Sequence, residues 1–333
     1  MTIFNIALFG AGRIGNVHAR NIAEHDESHV KYIVDPAVAP AQALADRVGA
    51  TVVEAATVWA DPDIHAVVIG TATSTHADLI EQGLTAGKAV FCEKPIDLSM
   101  VRVDEVMKVI NASGKPLFLA FNRRFDPGVL DLKARIVAGA IGALELVTII
   151  SKDPGGGLPI SYLETSGGMF RDMTIHDFDM ARHLMDEDFV TVSAEASALT
   201  DPAIAGIGDI DTAVVTLRTA SGKIAVITNS RRASYGYDQR VEAHGVLGTL
   251  RTENVPQNMT VLETADGSLK AKPQFFFVER YAQSYRNEWA HFVRVLKGEE
   301  QPSATGEHGR KALQLAECAY QSLQTGQRIT VPG

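Results

Sequence analysis

Between Gly167 and Leu184 the chain sets carboxylates and imidazoles at helical intervals: Asp172, His176, Asp179 and His183. On one continuous helix these four fall within an arc of roughly 60°. Met169, Met173, Met180 and Leu184 form an apolar stripe beside them, while Phe170, Phe178 and Met185 cover much of the far side. A helix this apolar is largely inside, so its polar line must face a cavity or be paired internally. Three chemistries fit. His176 could be the acid/base group at a reacting hydroxyl, with Asp172 orienting it and stabilising its cationic form. His and Asp one turn apart also suit a metal. The third reading is a satisfied structural network, and His183, two turns further on, is assigned to structure.

A second element is Phe91-Cys92-Glu93-Lys94-Pro95, just past an apolar strand. Open α/β sheets bind ligands at the carboxyl ends of their strands. A partly desolvated lysine there can take part in proton transfer; a surface lysine before a loop proline is the alternative. Pro95 keeps Lys94 out of helical geometry in either case. Cys92, inside the apolar run 89–92, reads as a core thiol rather than a nucleophile.

A third element, Gly10-Ala11-Gly12-Arg13-Ile14-Gly15, follows a strand and opens a helix. The first glycine permits the turn, the second lets backbone approach a pyrophosphate, and the third lets helix pack on strand. Free N–H groups at the helix start attract phosphate. Asp35 ends the next strand twenty residues after Gly15; its carboxylate suits the adenosine ribose and would repel a 2′-phosphate. Neither Lys nor Arg follows before Arg47, so NAD is favoured over NADP. Arg13, Ile14, Thr71, Thr73, His76, Glu93 and Lys94 are the further cofactor-lining candidates. A glycine turn holding no ligand is the alternative. Beside a nicotinamide and Lys94, the acid/base reading of His176 gains weight, because hydride transfer from an alcohol needs a proton acceptor and no metal.

These groups need a scaffold. The first third alternates apolar strands (3–9, 30–34, 66–69, 89–92, 117–120) with helical patterns (14–23, 39–48, 75–86, 100–112), which specifies a parallel sheet covered on both faces. After a helix near 129–138 come long strand candidates at 143–151, 190–198, 212–219, 223–229 and 240–244, with a hairpin turn at 219–223. A single helix is expected over Met169–Met185, and two more near 281–296 and 306–323. The expected architecture is α/β: an N-terminal Rossmann domain with a doubly wound parallel sheet (1–121), then an α+β domain with a large, mostly antiparallel open sheet (122–333). Phe275-Phe276-Phe277 could be interface or core.

Length and composition agree with two globular domains: 333 residues, 46% hydrophobic and 21% charged. No apolar run approaches the roughly 18 residues of a membrane span, and the start reads as a first strand rather than a signal peptide. A formal charge of −9 argues against nucleic acid or anionic membrane as the main partner. Two cysteines build neither a disulfide framework nor a zinc site and suit a reducing cytoplasm.

Taken together, Gly10–Gly15, Glu93-Lys94-Pro95 and Gly167-Gly168…Asp172…His176-Asp177 resemble the glucose–fructose oxidoreductase / inositol dehydrogenase / rhizopine catabolism family. Asn122-Arg123-Arg124-Phe125-Asp126 and Tyr235-Gly236-Tyr237-Asp238 also match, and the run Asp172–Arg182 resembles its inositol 2-dehydrogenase branch. The likeness covers nearly the whole chain. It implies NAD-dependent oxidation of a cyclic polyol, myo-inositol first, and a sheet that also forms subunit contacts, usually in tetramers. It further implies that Lys94, Asp172 and His176 act at the carbinol, that Arg124 and Tyr235 hold other ring hydroxyls, and that the Lys-Pro peptide is cis. One departure is the loop Lys152-Asp153-Pro154-Gly155-Gly156-Gly157-Leu158, where the family has a proline-rich segment. Asp153 is a further substrate-binding candidate, the glycines could form a lid or only a turn, and the preferred isomer is left open.

Overall fold

The computed structural model describes residues 3–155 and 159–333. The chain forms two compact units, Met1–Phe125 with Ser284–Leu313, and Asp126–Gln283 with Gln314–Gly333.

Six parallel strands make the sheet of the first unit: β1 (Phe4–Phe9), β2 (Ser28–Val34), β3 (Thr51–Val52), β4 (Ala66–Ile69), β5 (Ala89–Glu93) and β6 (Leu117–Ala120), in the order β3-β2-β1-β4-β5-β6. The connecting helices are Arg13–Ala23, Val38–Val48, Ala55–Ala60, His76–Thr85 and Met100–Ser113. Every residue of β4 and β6 is buried, as expected for strands covered on both faces. The order reverses between β1 and β4, and such a switch point opens a crevice at the carboxyl ends of the strands. β3 and the helix 55–60 are additions to the expected elements; two residues of strand are too few to leave a hydrophobic pattern.

The segment 284–313 is assigned by sequence to the second domain, yet it belongs to the first unit. Aromatic packing explains this. Helix Ala282–Leu296 carries Trp289 and Phe292, whose ring centroids lie 5.9 and 5.4 Å from that of Phe91 on β5. Phe91 in turn stacks on Phe118 of β6 at 5.1 Å. The Trp289 indole donates to Ser28 Oγ at 2.9 Å, satisfying its polar end inside the core.

The second unit holds a seven-stranded sheet of β7 (Leu144–Lys152), β8 (Phe189–Ser197), β9 (Thr212–Thr219), β10 (Ile224–Ser230), β11 (Asp238–Gly245), β12 (Gly248–Arg251) and, after a separate hairpin of β13 (Val261–Thr264) and β14 (Gly267–Lys270), β15 (Ile329–Thr330). Its order is β12-β11-β7-β10-β9-β8-β15, with β7–β10 the parallel pair in an otherwise antiparallel array. Alternation along β9 buries Ala213, Val215, Leu217 and Thr219 and turns Val214, Thr216 and Arg218 outward. β12, β15 and the fully exposed β13–β14 hairpin were not expected, because strands that bury nothing carry no period-two signature.

The helix expected over Met169–Met185 is broken. One turn covers Met169–Asp172, and the main helix, packed against β7, runs from Ile175 to Met185. Thr174 stands at the break, fully buried, with its hydroxyl donating to Asn229 Oδ1 on β10 at 2.7 Å. Asn229 Nδ2 also donates to Asp177 Oδ2 at 2.7 Å, so a strand side chain fixes where the helix starts. Of the Phe275–Phe277 run, Phe275 is exposed and the other two are half-buried, their rings 4.6 Å apart. Trp289→Ala should lower stability by about 3–5 kcal/mol, measured by urea unfolding followed through first-unit tyrosine and tryptophan signals; a loss below about 1 kcal/mol would contradict the packing role given to this residue.

Candidate active site

At the switch point of the first unit, Gly10 has φ +100° and lies so close to Gly70 that a Cβ would press on the Gly70 carbonyl. A Cβ on Gly15 would overlap the Gly10 carbonyl oxygen, so only glycine lets helix 13–23 approach β1. Gly12 differs: nothing lies within 4 Å of where its Cβ would be. It is also the N-cap of helix 13–23, with no side chain capping it and no acidic residue in the first turn. Open space over uncapped N–H groups is what a pyrophosphate requires. Asp35 closes the turn from the end of β2, accepting from Ala11 N and Ala37 N, each at 2.7 Å. A carboxylate has about four acceptor positions, so capacity remains for ribose hydroxyls. These residues fit NAD.

The same edge continues through Thr71, His76 and Pro95. His76 is buried, with Nδ1 2.7 Å from Pro95 O and Nε2 3.2 Å from Thr71 O. Burial lowers its pKa against the opposing pull of those carbonyls, so the ring is neutral and donates to the nearer oxygen. Both ring nitrogens therefore face main chain, and His76 ties the end of β4 to the Glu93-Lys94-Pro95 turn. Thr71 Oγ1 pairs with Thr75 Oγ1 at 2.7 Å, and Thr73 begins the short 3-10 turn ahead of helix 76–85. The Lys94–Pro95 peptide is cis. Glu93 accepts from His18 Nε2 at 2.8 Å, and His18 is held edge-on by Phe91 and Tyr285. Lys94, Arg13 and Ile14 lie at the surface of this edge or partly so. Cys92 is fully buried, and burial pushes its thiol well above the ordinary range.

In the second unit Asp172 ends the turn 169–172 ahead of His176. Its carboxylate is 12% exposed; Oδ1 accepts from Tyr162 OH at 3.0 Å and Oδ2 lies 3.6 Å from Arg231 Nη2. Because the helix breaks at 173–174, the expected arc of four keeps only His176, Asp179 and His183 on one axis; Asp179 is 1% exposed. The carbonyl of His183 takes Lys133 Nζ. Asp153 donates its backbone N–H to Ser230 O at 2.9 Å, beside Arg231. Residues 156–158 of the glycine loop lie outside the described residues. Among those described, no group of three or more His, Cys, Asp or Glu could hold a metal ion.

Tyr235 stands with a different set: its hydroxyl donates to the fully buried Asp238, which also takes Arg240 and Asn254. Burial and Asp238 push the Tyr235 hydroxyl up to about 12, so it is a donor at any ordinary pH. Arg124 is buried in the first unit and donates to Ser303 O. Sequence reasoning passed over His18, Glu288, Asn229 and Arg231. Glu288 is 0% exposed, with no hydrogen-bond partner for either oxygen among the described residues, and burial beside Glu93 holds its carboxyl well above the carboxylate range. His18 could have been noticed as an imidazole among Val17, Ala19 and Ile22 on an amphipathic helix; the others sit in ordinary helical or strand contexts and carry no local signal.

A six-stranded parallel sheet with a glycine turn at its switch point and a carboxylate at the end of the adjacent β2 defines a dinucleotide-binding domain. Comparison with known proteins agrees. Residues 4–121 match the family model described as "Oxidoreductase family, NAD-binding Rossmann fold", and residues 129–251 match "GFO/IDH/MocA C-terminal domain". The chain belongs to the GFO/IDH/MocA oxidoreductase family. It is 44% identical to an inositol 2-dehydrogenase of Rhizobium meliloti over 99% of this chain and 100% of that one. It is 40% identical to a myo-inositol 2-dehydrogenase of Thermotoga maritima, over 96% of each. The crystal structure of scyllo-inositol dehydrogenase from Lactobacillus casei with bound NAD(H) and scyllo-inositol superposes with a TM-score of 0.92 at 27% identity, over 99% of each chain.

Two glycine substitutions should separate architecture from binding. Gly15→Ala should lower the unfolding midpoint and abolish NAD binding together, whereas Gly12→Ala should leave the midpoint near that of the wild type and weaken NAD at least about tenfold by crowding the phosphates. Thermal unfolding and titration calorimetry read the two effects; equal behaviour of both variants would refute the assignment.

Proposed function

We propose that the protein oxidises one secondary hydroxyl of a cyclic polyol, myo-inositol to its 2-keto product. The observation that carries this reading is Asp172: a nearly buried carboxylate braced by Tyr162 and facing Arg231, just ahead of His176. The full-length likeness to proteins named inositol 2-dehydrogenase supports the substrate class. Bound NAD supplies the hydride acceptor. His176 removes the hydroxyl proton, and Asp172 orients the imidazole and stabilises its charged form. Lys94, protonated, polarises the same oxygen, and the proton taken by His176 leaves to solvent. Asp35 and the 10–15 turn hold the dinucleotide, with Thr71, Thr73 and Glu93 along its edge; Arg124, Asp153 and Tyr235 bind ring hydroxyls.

Replacing His176 or Lys94 by Ala should lower kcat at least about 100-fold while NAD affinity changes little. NADH formation with myo-inositol, scyllo-inositol, glucose, galactose and xylose tests the substrate. A reading as a non-catalytic NAD sensor requires that no polyol reduce the cofactor, and near-wild-type turnover in both variants would remove these residues from the chemistry.

The working form we propose is a cytoplasmic homotetramer. Val190, Val214 and Ile224, 37%, 47% and 40% exposed, are apolar positions left uncovered on the seven-stranded sheet, a supply of surface that a second copy would bury. Light scattering should give four times the chain mass; a monomer at micromolar concentration would count against it.

A further inference from the structure

We propose that Arg231 is a positioning residue for Asp172 and His176: it fixes the Asp172 carboxylate and offsets the negative charge around it, so that the imidazole is kept as an uncharged base. The inference rests on the roles given to Asp172 and His176 under the proposed function.

Arg231 directly follows β10, and its backbone N–H donates to Asp211 O at 2.8 Å, so the pairing of β9 with β10 sets its place. Its side chain is 5% exposed, and Nη2 lies 3.6 Å from Asp172 Oδ2 and 3.9 Å from Asp209 Oδ2. None of its three guanidinium nitrogens has a hydrogen-bond partner among the described residues, and neither has Asp209 Oδ2. Buried guanidinium groups normally engage their five donors. This one stands between two carboxylates as a charge, outside hydrogen-bond length of both, and a fork that is not used up on a structural partner can follow Asp172.

The charged groups near this end of the sheet include Lys152, which ends β7 opposite Ser230, Asp153 next to it, and Asp179 and His183 on the helix that carries His176. Asp177 is bonded to Asn229, and Asp211 accepts from the backbones of Leu199 and Thr200 and from the hydroxyls of Thr200 and Thr212. Asp209 takes the Met169 N–H at 3.0 Å. The Tyr320 hydroxyl is pushed up by burial and by Asp209, so it is neutral. Arg171 is committed to Glu317, and Arg232 to the Thr200 carbonyl. Carboxylates are thus in excess around the 169–177 segment. Each stabilises a protonated imidazole, and a protonated imidazole cannot take the substrate proton. Arg231 opposes them, and a guanidinium keeps its charge across the whole working pH range.

The test compares Arg231→Gln, Arg231→Lys and Asp209→Asn with the wild-type chain by two readouts. One is the NMR titration midpoint of the His176 ring without substrate, assigned by its absence in His176→Ala; the other is the pH profile of kcat/KM with myo-inositol. Arg231→Gln should raise the His176 midpoint and the acidic limb by about one unit and lower kcat/KM near neutral pH by up to about tenfold, with NAD affinity unchanged. Arg231→Lys, which retains the charge, should keep the midpoint close to wild type. Asp209→Asn removes a carboxylate and should move the midpoint the other way. A merely structural arginine would lower thermal stability in Arg231→Gln and leave the midpoint where it was, which overturns the proposal. If Arg231→Gln does not fold, Asp209→Asn decides, a downward midpoint supporting the proposal and an unmoved one overturning it. Should wild-type protein fail to oxidise myo-inositol, the functional reading falls, while the midpoints still report whether Arg231 sets the charge on His176.

Discussion

Backbone-to-backbone contact between helix 13–23 and β1 is the constraint on which the first unit depends. Gly15 rests against the Gly10 carbonyl at a distance no side chain tolerates, and Gly10 presses likewise on Gly70. That closeness aims the helix N-terminus at the switch point and leaves the space over Gly12 open. The sheet order then brings Asp35, Thr71 and Pro95 to the same edge from three other strands. One local steric requirement thereby fixes the geometry of a site whose parts come from residues 10 to 95.

In the second unit the organising interaction is polar and buried. Asn229 receives the Thr174 hydroxyl, and its amide donates to Asp177. Such a bond is worth more in the interior than at the surface, because leaving any of its members unpaired costs the full desolvation penalty. Its consequence is a helix that starts at Ile175, which detaches Asp172 from the helical line and lets it meet Tyr162 and Arg231. The polar row that the amino-acid pattern draws as one stripe is divided into a braced carboxylate and a helix-borne imidazole.

The buried charges follow one rule in both units. Glu93 is paired with His18, while its neighbour Glu288 is held neutral by burial and by Glu93. Asp238 would be raised by burial, but donors from Arg240, Tyr235 and Asn254 bring it below the ordinary carboxylate value. Glu288 meets the cost of lacking partners by staying neutral, whereas Arg231, near Asp172 and Asp209, keeps its charge with no hydrogen-bond partner for its guanidinium among the described residues. A charge left without saturating hydrogen bonds retains its field for the groups beside it, among them the Asp172 carboxylate for which a catalytic role is proposed.

The amino-acid sequence by itself determined the parallel sheet, the glycine turn with Asp35, the Lys-Pro element and the long strands β7 to β11, because each rests on a period or on local stereochemistry. Burial on both faces writes unbroken apolar runs, alternation writes β9, and a turn that excludes Cβ writes glycine. It also brought Asp172 and His176 forward, as polar residues on a helix otherwise apolar. Only the tertiary structure decided the return of 284–313 to the first unit, since an amphipathic helix does not name the sheet it covers. The break at Thr174 and the placing of Arg231 were decided there too. The break rests on Asn229, and Arg231 meets Asp172, each across more than fifty residues of chain; a hydrogen bond or ion pair over that separation leaves no periodicity in either segment.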